Sequence, residues 1–365
     1  MGLYLENLPI PGYEQVVKVT DTATGLLAII AIHDTTLGPS LGGTRIFPYK
    51  NFDQALQDVL RLSRGMTYKS AIAQTGLGGG KSVIIADPRD KSPELLEAFG
   101  VAVEALEGRY ISAEDINCSP ADVAIMSRST RYVTGMMGPG KSGNPSPFTA
   151  WGTFLGIQSA IQQLDKLDSV KGKRIAIQGI GSVGEKLADF LFWEGAELII
   201  QDINEEKAVE VGQKYQAEVV SGDEIFQVEC DVFAPCALGG ILNDKTIAQL
   251  RCRAVAGAAN NQLLDEQRDG DRLAKRGILY APDFVVNAGG VINVGAEIEP
   301  GGYDANAVRK KVAHIYNQLV AIYLIAEQNG CSTAAAANSL AEYRLQYKIG
   351  QREVHPCFSS ASGRV

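Results

Sequence analysis

Histidine is scarce in this chain: His33, His314 and His355 are the only three among 365 residues, and they form no cluster. A catalytic metal wants several imidazole, thiolate or carboxylate donors together, so no metal site is expected. The six cysteines, Cys118, Cys230, Cys236, Cys252, Cys331 and Cys357, are scattered without a C-x-x-C pair. That spacing suggests neither zinc nor a disulfide framework, and buried free thiols are expected. No stretch reaches the ~18 uninterrupted apolar residues of a spanning helix. The first residues, MGLYLENLPIPGYEQV, lack a cationic start followed by an apolar region. A cytoplasmic protein with no membrane partner is therefore expected. Dense positive charge is also missing: the formal net charge is −8, and the one basic triplet, Arg309-Lys310-Lys311, reads as a solvated helix face. Nucleic acid is not an expected partner. There is no internal repeat. What is present, 45% hydrophobic and 21% charged residues over a length sufficient for two domains, is the composition of an ordinary globular protein.

The most informative stretch is 172–202, GKRIAIQGIGSVGEKLADFLFWEGAELIIQD. Ile175-Ala176-Ile177 reads as a strand, and Gly179, Gly181 and Gly184 follow it in G-x-G-x-x-G spacing. Val183, Leu187, Phe190 and Leu191 then mark one face of a helix. Gly179 permits the tight turn, Gly181 lets backbone approach a pyrophosphate at the positive helix end, and Gly184 lets the helix pack closely on the strand. Asp202 ends a second strand, where a carboxylate about 20 residues after the fingerprint accepts an adenine ribose 2′-hydroxyl. Ile203, Asn204, Glu205 and Glu206 offer no arginine for a 2′-phosphate, which favours NAD over NADP. The competing reading is a glycine-rich turn that holds no nucleotide.

Before this motif an independent α/β pattern runs through a strand at 26–32, a helix at 52–64, a strand at 82–86, a helix at 93–106 and a strand at 110–113. The Gly/Pro-dense run 138–147 marks the crossing between domains. After it, short strands at 231–235, 254–257 and 277–281 extend the parallel sheet of the nucleotide motif. A long helix follows from a cap at Asp304 to Gly330. The last residues, 351–365, carry no periodic signal and read as a tail or an oligomer contact. The domains are placed at 1–140, with 331–365 returning to it, and at 141–330.

Two lysines lack a surface lysine's charged neighbourhood: Lys69 in Met66-Thr67-Tyr68-Lys69, and Lys81 after Gly78-Gly79-Gly80. Desolvation and a second ammonium would lower the pKa of Lys81 and fit it to act as a general base. The alternative is a lysine that merely follows a glycine-rich turn. Asp115 sits at a strand end from which a carboxylate can face a cleft, or it serves with Glu114 as a helix cap. The junctions 257–262 and 286–290 carry amides and small residues that suit a ribose or carboxamide, although turn formation explains them too.

The segments Gly38-Pro39-Ser40-Leu41-Gly42-Gly43-Thr44-Arg45, Arg64-Gly65-Met66-Thr67-Tyr68-Lys69, Gly78-Gly79-Gly80-Lys81, Ala113-Glu114-Asp115 and Gly143-Asn144-Pro145-Ser146-Pro147 form a specific set with those two junctions. The chain thereby resembles, along nearly its whole length, the glutamate, leucine, phenylalanine and valine dehydrogenase superfamily, and most closely its leucine branch. The resemblance implies an N-terminal α/β substrate domain and a Rossmann-type NAD-binding domain separated by a cleft. It implies reversible oxidative deamination of an aliphatic L-amino acid, leucine and also valine or isoleucine, to its 2-oxo acid and ammonia, with hydride passing to NAD. By motif match Lys69 binds the substrate carboxylate, Lys81 is the base that activates water, and Asp115 assists proton transfer. Gly179, Gly181, Ser182, Val183, Gly184, Asp202, Ala258, Asn260 and Asn287 hold the cofactor, and Asn287 also positions substrate. Leu41, Gly42, Ala113, Val291 and Val294 line an apolar side-chain pocket with no partner for a second carboxylate. A homo-oligomer built on the first domain and the C-terminal segment is implied as well.

The chain departs from the leucine pattern at 295–302, GAEIEPGG, beside that pocket, and carries bulky Phe148 and Trp151 near the crossing. Phenylalanine or tryptophan is thus an alternative substrate. A non-catalytic NAD-binding regulator would have lost Lys69, Lys81 or Asp115, and all three are present. An enzyme of 2-hydroxy acids would want a histidine base near an arginine clamp, and none of the histidines has such surroundings.

Overall fold

The computed structural model describes residues 2–358. Their contacts divide into two units, one of residues 2–145, 291–308 and 342–358 and the other of 146–290 and 309–341.

The first unit is built on a six-stranded mixed sheet. Its strands are β1 (Tyr4–Asn7), β2 (Gln15–Asp21), β3 (Leu26–Asp34), β4 (Ser40–Phe47), β5 (Gly78–Ile85) and β6 (Tyr110–Ala113), in the order β1-β2-β3-β5-β4-β6. Side-chain alternation sorts its residues onto two covered faces. Ile29 and Ala31 of β3 and Val83 of β5 pack with Ala55 and Val59 of the helix Phe52–Ala73. Ala28, Ile30, Ile32 and Ile84 pack on the other side with Leu96, Phe99 and Val103 of the helix Pro93–Glu104. The long helix lies directly on β5 because Gly79 has no side chain there: a Cβ would stand 2.0 Å from the Thr67 nitrogen.

In the second unit β7 (Arg174–Gln178), β8 (Glu197–Gln201), β9 (Glu218–Val219), β10 (Glu229–Pro235), β11 (Arg251–Val255) and β12 (Leu279–Tyr280) form a wholly parallel sheet ordered β12-β11-β10-β7-β8-β9. The order reverses beside β7, the first strand of the unit. Such a switch point, outside the carboxyl ends of the strands, is where open α/β sheets take their ligands.

Several expectations need correction. Gly78–Gly80 is not a turn but the start of β5, paired with both β3 and β4. The helix at 52 continues to Ala73, well past the expected Arg64, because Thr67, Ala71 and Ile72 still face the core. Glu114 and Asp115 cap no helix; the next one, Pro120–Met126, is capped by Ser119. Residues 331–341 belong with the second unit, since the Thr333 hydroxyl donates to the Tyr280 carbonyl at 2.6 Å and Ala334 joins that unit's core. Residues 291–308 belong with the first. Cys331, in the turn after a helix, and Cys357, near the chain end, are exposed rather than buried. Residues 351–358 are not a loose tail: Arg352 pairs with Glu299 at 2.8 Å and donates to the Gly76 carbonyl at 3.0 Å, and Phe358 meets the Tyr132 ring edge-on. Residues 359–365 lie outside the described part. Trp151 stacks on Phe154 and meets Phe190 edge-on, so packing accounts for its bulk.

Candidate active site

Alternation along β5 puts Lys81 on the same face as Val83, beneath the helix Phe52–Ala73, while Ser82 points to the opposite face. Arg45 pairs in register with Val83 and shares that face. Lys81 is buried, its side chain 6% exposed, and its Nζ lies 3.0 Å from Asp115 Oδ1. Asp115 is held beyond the end of β6 by a two-way backbone bridge to Cys118. Its other oxygen, Oδ2, accepts from Arg45 Nε at 3.0 Å. Arg45 in turn donates from Nη1 to Asp58 Oδ2 at 2.8 Å, on the long helix, and the Tyr49 hydroxyl donates to the same oxygen. Burial pushes the Lys81 ammonium below the usual lysine range; Asp115 opposes that shift and Arg45 reinforces it. For Asp115 burial acts upward, and the combined attraction of Lys81 and Arg45 outweighs it, holding the carboxyl below its ordinary value. Glu114 moves up, from burial first and the Asp115 charge second.

Lys69 lies half-buried on the long helix, two residues beyond the Thr67 contact with Gly79. Leu41, Gly42 and Ala113 are buried on β4 and β6, where Gly43 pairs with Ala113. Gly42 has its Cβ direction filled by the Gly80 carbonyl oxygen at 1.8 Å. Val291 and Val294 are buried in the same unit, and Val294 approaches Gly135. The unusual segment at 295–302 supplies Glu297, whose buried Oε1 accepts from the Gly135 and Ser142 amides at 2.8 and 2.9 Å. It therefore ties the 135–142 loop to the segment bearing Val294.

In the second unit β7 runs into the glycine loop and then the helix Gly184–Trp193. Gly179 has φ +92° with Ala237 against it, and a Cβ on Gly184 would lie 2.0 Å from the Gly179 oxygen. Gly181 is different: nothing of the protein lies within 4 Å of its Cβ position. Ser182 is exposed, and Val183 provides no side-chain cap for the helix that follows. Asp202 Oδ2 accepts from the Ile180 amide at 2.6 Å, so the carboxylate at the end of β8 also braces the loop. Asn287 donates from Nδ2 to the Ala258 carbonyl at 3.0 Å and to Asn260 Oδ1 at 2.8 Å, leaving its own buried Oδ1 without a partner. Asn261, with φ +51°, serves the turn itself.

Sequence reasoning missed Asp58 and Tyr49, and it quoted Arg45 without giving it a role. The available signal was Arg45 itself, a lone charge in the strand SLGGTRIF. Nothing in the sequence around Asp58 distinguishes it from a solvated helix residue.

A doubly wound parallel sheet with a glycine loop at its switch point, in one chain with a desolvated lysine paired to an aspartate, is the plan of an amino-acid dehydrogenase. Residues 13–132 match the family description "Glu/Leu/Phe/Val dehydrogenase, dimerisation domain" and residues 197–350 match "Glutamate/Leucine/Phenylalanine/Valine dehydrogenase". Leucine dehydrogenase of Geobacillus stearothermophilus is 49% identical over 92% of this chain and 91% of its own length. L-tryptophan dehydrogenase of Nostoc punctiforme is 48% identical over 94% and 96%. The crystal structure of the Nostoc punctiforme enzyme matches with TM-score 0.81 and 47% identity over 92% of this chain and 96% of that one. The chain belongs to the Glu/Leu/Phe/Val dehydrogenase family.

Proposed function

We propose that the protein catalyses the reversible NAD-dependent oxidative deamination of an aliphatic L-amino acid, leucine foremost with valine and isoleucine, to its 2-oxo acid and ammonia. The observation that carries this reading is the buried Lys81–Asp115 pair at 3.0 Å. A lysine whose pKa is lowered by burial gives up its own proton more readily and can then take one from water attacking an imine. Asp115 stays ionised beside it, orients the amine, and stabilises the ammonium that forms. Lys69 supplies a positive charge for the substrate carboxylate. Leu41, Ala113, Val291 and Val294, all buried and apolar, form the side-chain pocket. Such a pocket separates one methylene by only about 1–3 kcal/mol, so several aliphatic substrates share it.

The first unit binds substrate and the second binds the nucleotide. The residues of the second unit fit a dinucleotide. The open space at Gly181 is unfilled by any protein atom, although neither φ nor a neighbour requires glycine there. Backbone approaching a pyrophosphate accounts for it. Asn287 Oδ1 is an unused buried acceptor suited to a carboxamide N–H. Asp202, followed by Ile203 and Asn204 rather than arginine, supports NAD over NADP. When bound, NAD supplies the acceptor for the hydride from the substrate Cα. The dimerisation-domain match over 13–132 supports a homo-oligomer. No described helix is long and apolar enough to cross a membrane, and with six free cysteines this supports a cytoplasmic location.

The tryptophan dehydrogenase likeness favours one second reading, an aromatic substrate. Lys81→Ala tests the chemistry common to both: NAD binding is kept and turnover falls by about 10²–10⁴-fold. Turnover that survives the substitution removes Lys81 from its role.

A further inference from the structure

A base that must be neutral and a buried carboxylate that must remain charged make conflicting demands on one ion pair. When Lys81 gives up its proton, Asp115 loses one of its two cations, and an uncompensated buried carboxylate is costly. The carboxylate is not left alone, because Oδ2 is already bound by Arg45 at 3.0 Å. A guanidinium does not deprotonate in a protein, so this charge stands whatever the state of Lys81. Arg45 is itself pinned from the far side by Asp58 at 2.8 Å, to which the Tyr49 hydroxyl also donates. Its side chain is only 16% exposed.

We infer that Arg45, anchored by Asp58, is a positioning residue for this reaction: it fixes Asp115 and supplies the permanent positive charge against which Lys81 can work as a neutral base. This rests on the role of Lys81 proposed above. The charges that face the pair come from every neighbouring element. Arg45 stands on β4, Asp58 on the long helix, Glu114 beside Asp115 after β6, and His33 of β3 on the same face, bonded to Thr67. Lys69 lies further along the long helix. The fixed cation repels the Lys81 ammonium and lowers its pKa, while Asp58, one step removed, acts upward on the same amine.

The test measures kcat/KM for the amino acid against pH in Arg45→Met, Arg45→Lys and Asp58→Asn, together with KM for NAD. Activity requires neutral Lys81, so the rate rises with pH through its pKa. Arg45→Met removes the repelling cation and moves this acid limb upward by about 1 unit or more. Arg45→Lys restores most of the original position. Asp58→Asn removes a negative charge and moves the limb the opposite way, by a few tenths of a unit. KM for NAD stays unchanged in all three. An unmoved limb in folded Arg45→Met, or both charge removals moving it in the same direction, overturns the inference; if Arg45→Met does not fold, an unmoved or upward limb in Asp58→Asn does so. The pH dependence of Lys81 acylation by a small reagent, read by mass spectrometry, reports the same shifts without any substrate. A failure of the deamination reading is therefore seen separately from a failure of this one.

Discussion

Gly181 and Gly184 stand three residues apart and fail in different ways when given a methyl group. At Gly181 the added carbon meets no protein atom, so Gly181→Ala leaves the melting temperature within about 2 °C of the parent. It raises Kd for NAD tenfold or more, because the methyl occupies the space through which backbone meets the pyrophosphate. At Gly184 the carbon lands 2.0 Å from the Gly179 oxygen. Gly184→Ala therefore destabilises the folded protein by about 1–3 kcal/mol before any question of binding arises. Calorimetric melting and titration with NAD separate the two, and equal loss of stability in both variants would contradict the ligand-based account of Gly181. The glycine spacing was legible at this scale because it lies within one short stretch between a strand and a helix, where Gly179 takes φ +92° and Gly184 packs against the Gly179 oxygen. Arg45 and Asp58 were not, since their meaning lies in a contact between a strand and a helix that spacing along the chain does not encode.

Among elements, the helix Phe52–Ala73 is held at the end that bears Lys69 by two residues of the C-terminal helix Thr333–Gln346. The Tyr68 hydroxyl donates to Glu342 at 2.7 Å, and Arg344 donates to the Ala71 and Ile72 carbonyls at 3.2 and 2.6 Å. Arg344→Ala leaves those carbonyls without this partner and costs about 1–3 kcal/mol of stability. It also loosens the turn carrying Lys69, so KM for the amino acid rises more than kcat falls. Unchanged KM with the expected drop in melting temperature would mean that the clamp is structural only. Apolar periodicity revealed the existence of most elements, including β6 at 110–113 with its bounds intact. It misjudged β5, because three successive glycines signal a turn unless something outside the segment needs their bareness. Thr67 pressed against Gly79, and Tyr110 with Ser40 against Gly80, supply that need.

For the molecule as a whole, the division of the chain was legible only at its first crossing, in the Gly/Pro run 138–147, within which the first unit gives way to the second after Pro145. The later crossings, at 290–291, 308–309 and 341–342, fall inside or beside helices and leave no punctuation in the sequence. They return Val291 and Val294 to the unit that holds Leu41 and Ala113 and bring Glu342, Arg344 and Arg352 onto the segments flanking Lys69 and Lys81. Leucine and tryptophan dehydrogenases resemble the chain almost equally, at 49% and 48% identity, so overall likeness does not separate the two substrate classes. The most direct measurement is the rate of NAD reduction by the purified protein with leucine, valine, isoleucine, phenylalanine and tryptophan, compared as kcat/KM. Leucine, valine and isoleucine are expected within about two orders of magnitude of one another and all above the aromatic pair. A higher kcat/KM for tryptophan or phenylalanine, or no NAD reduction with any of the five, would contradict the account.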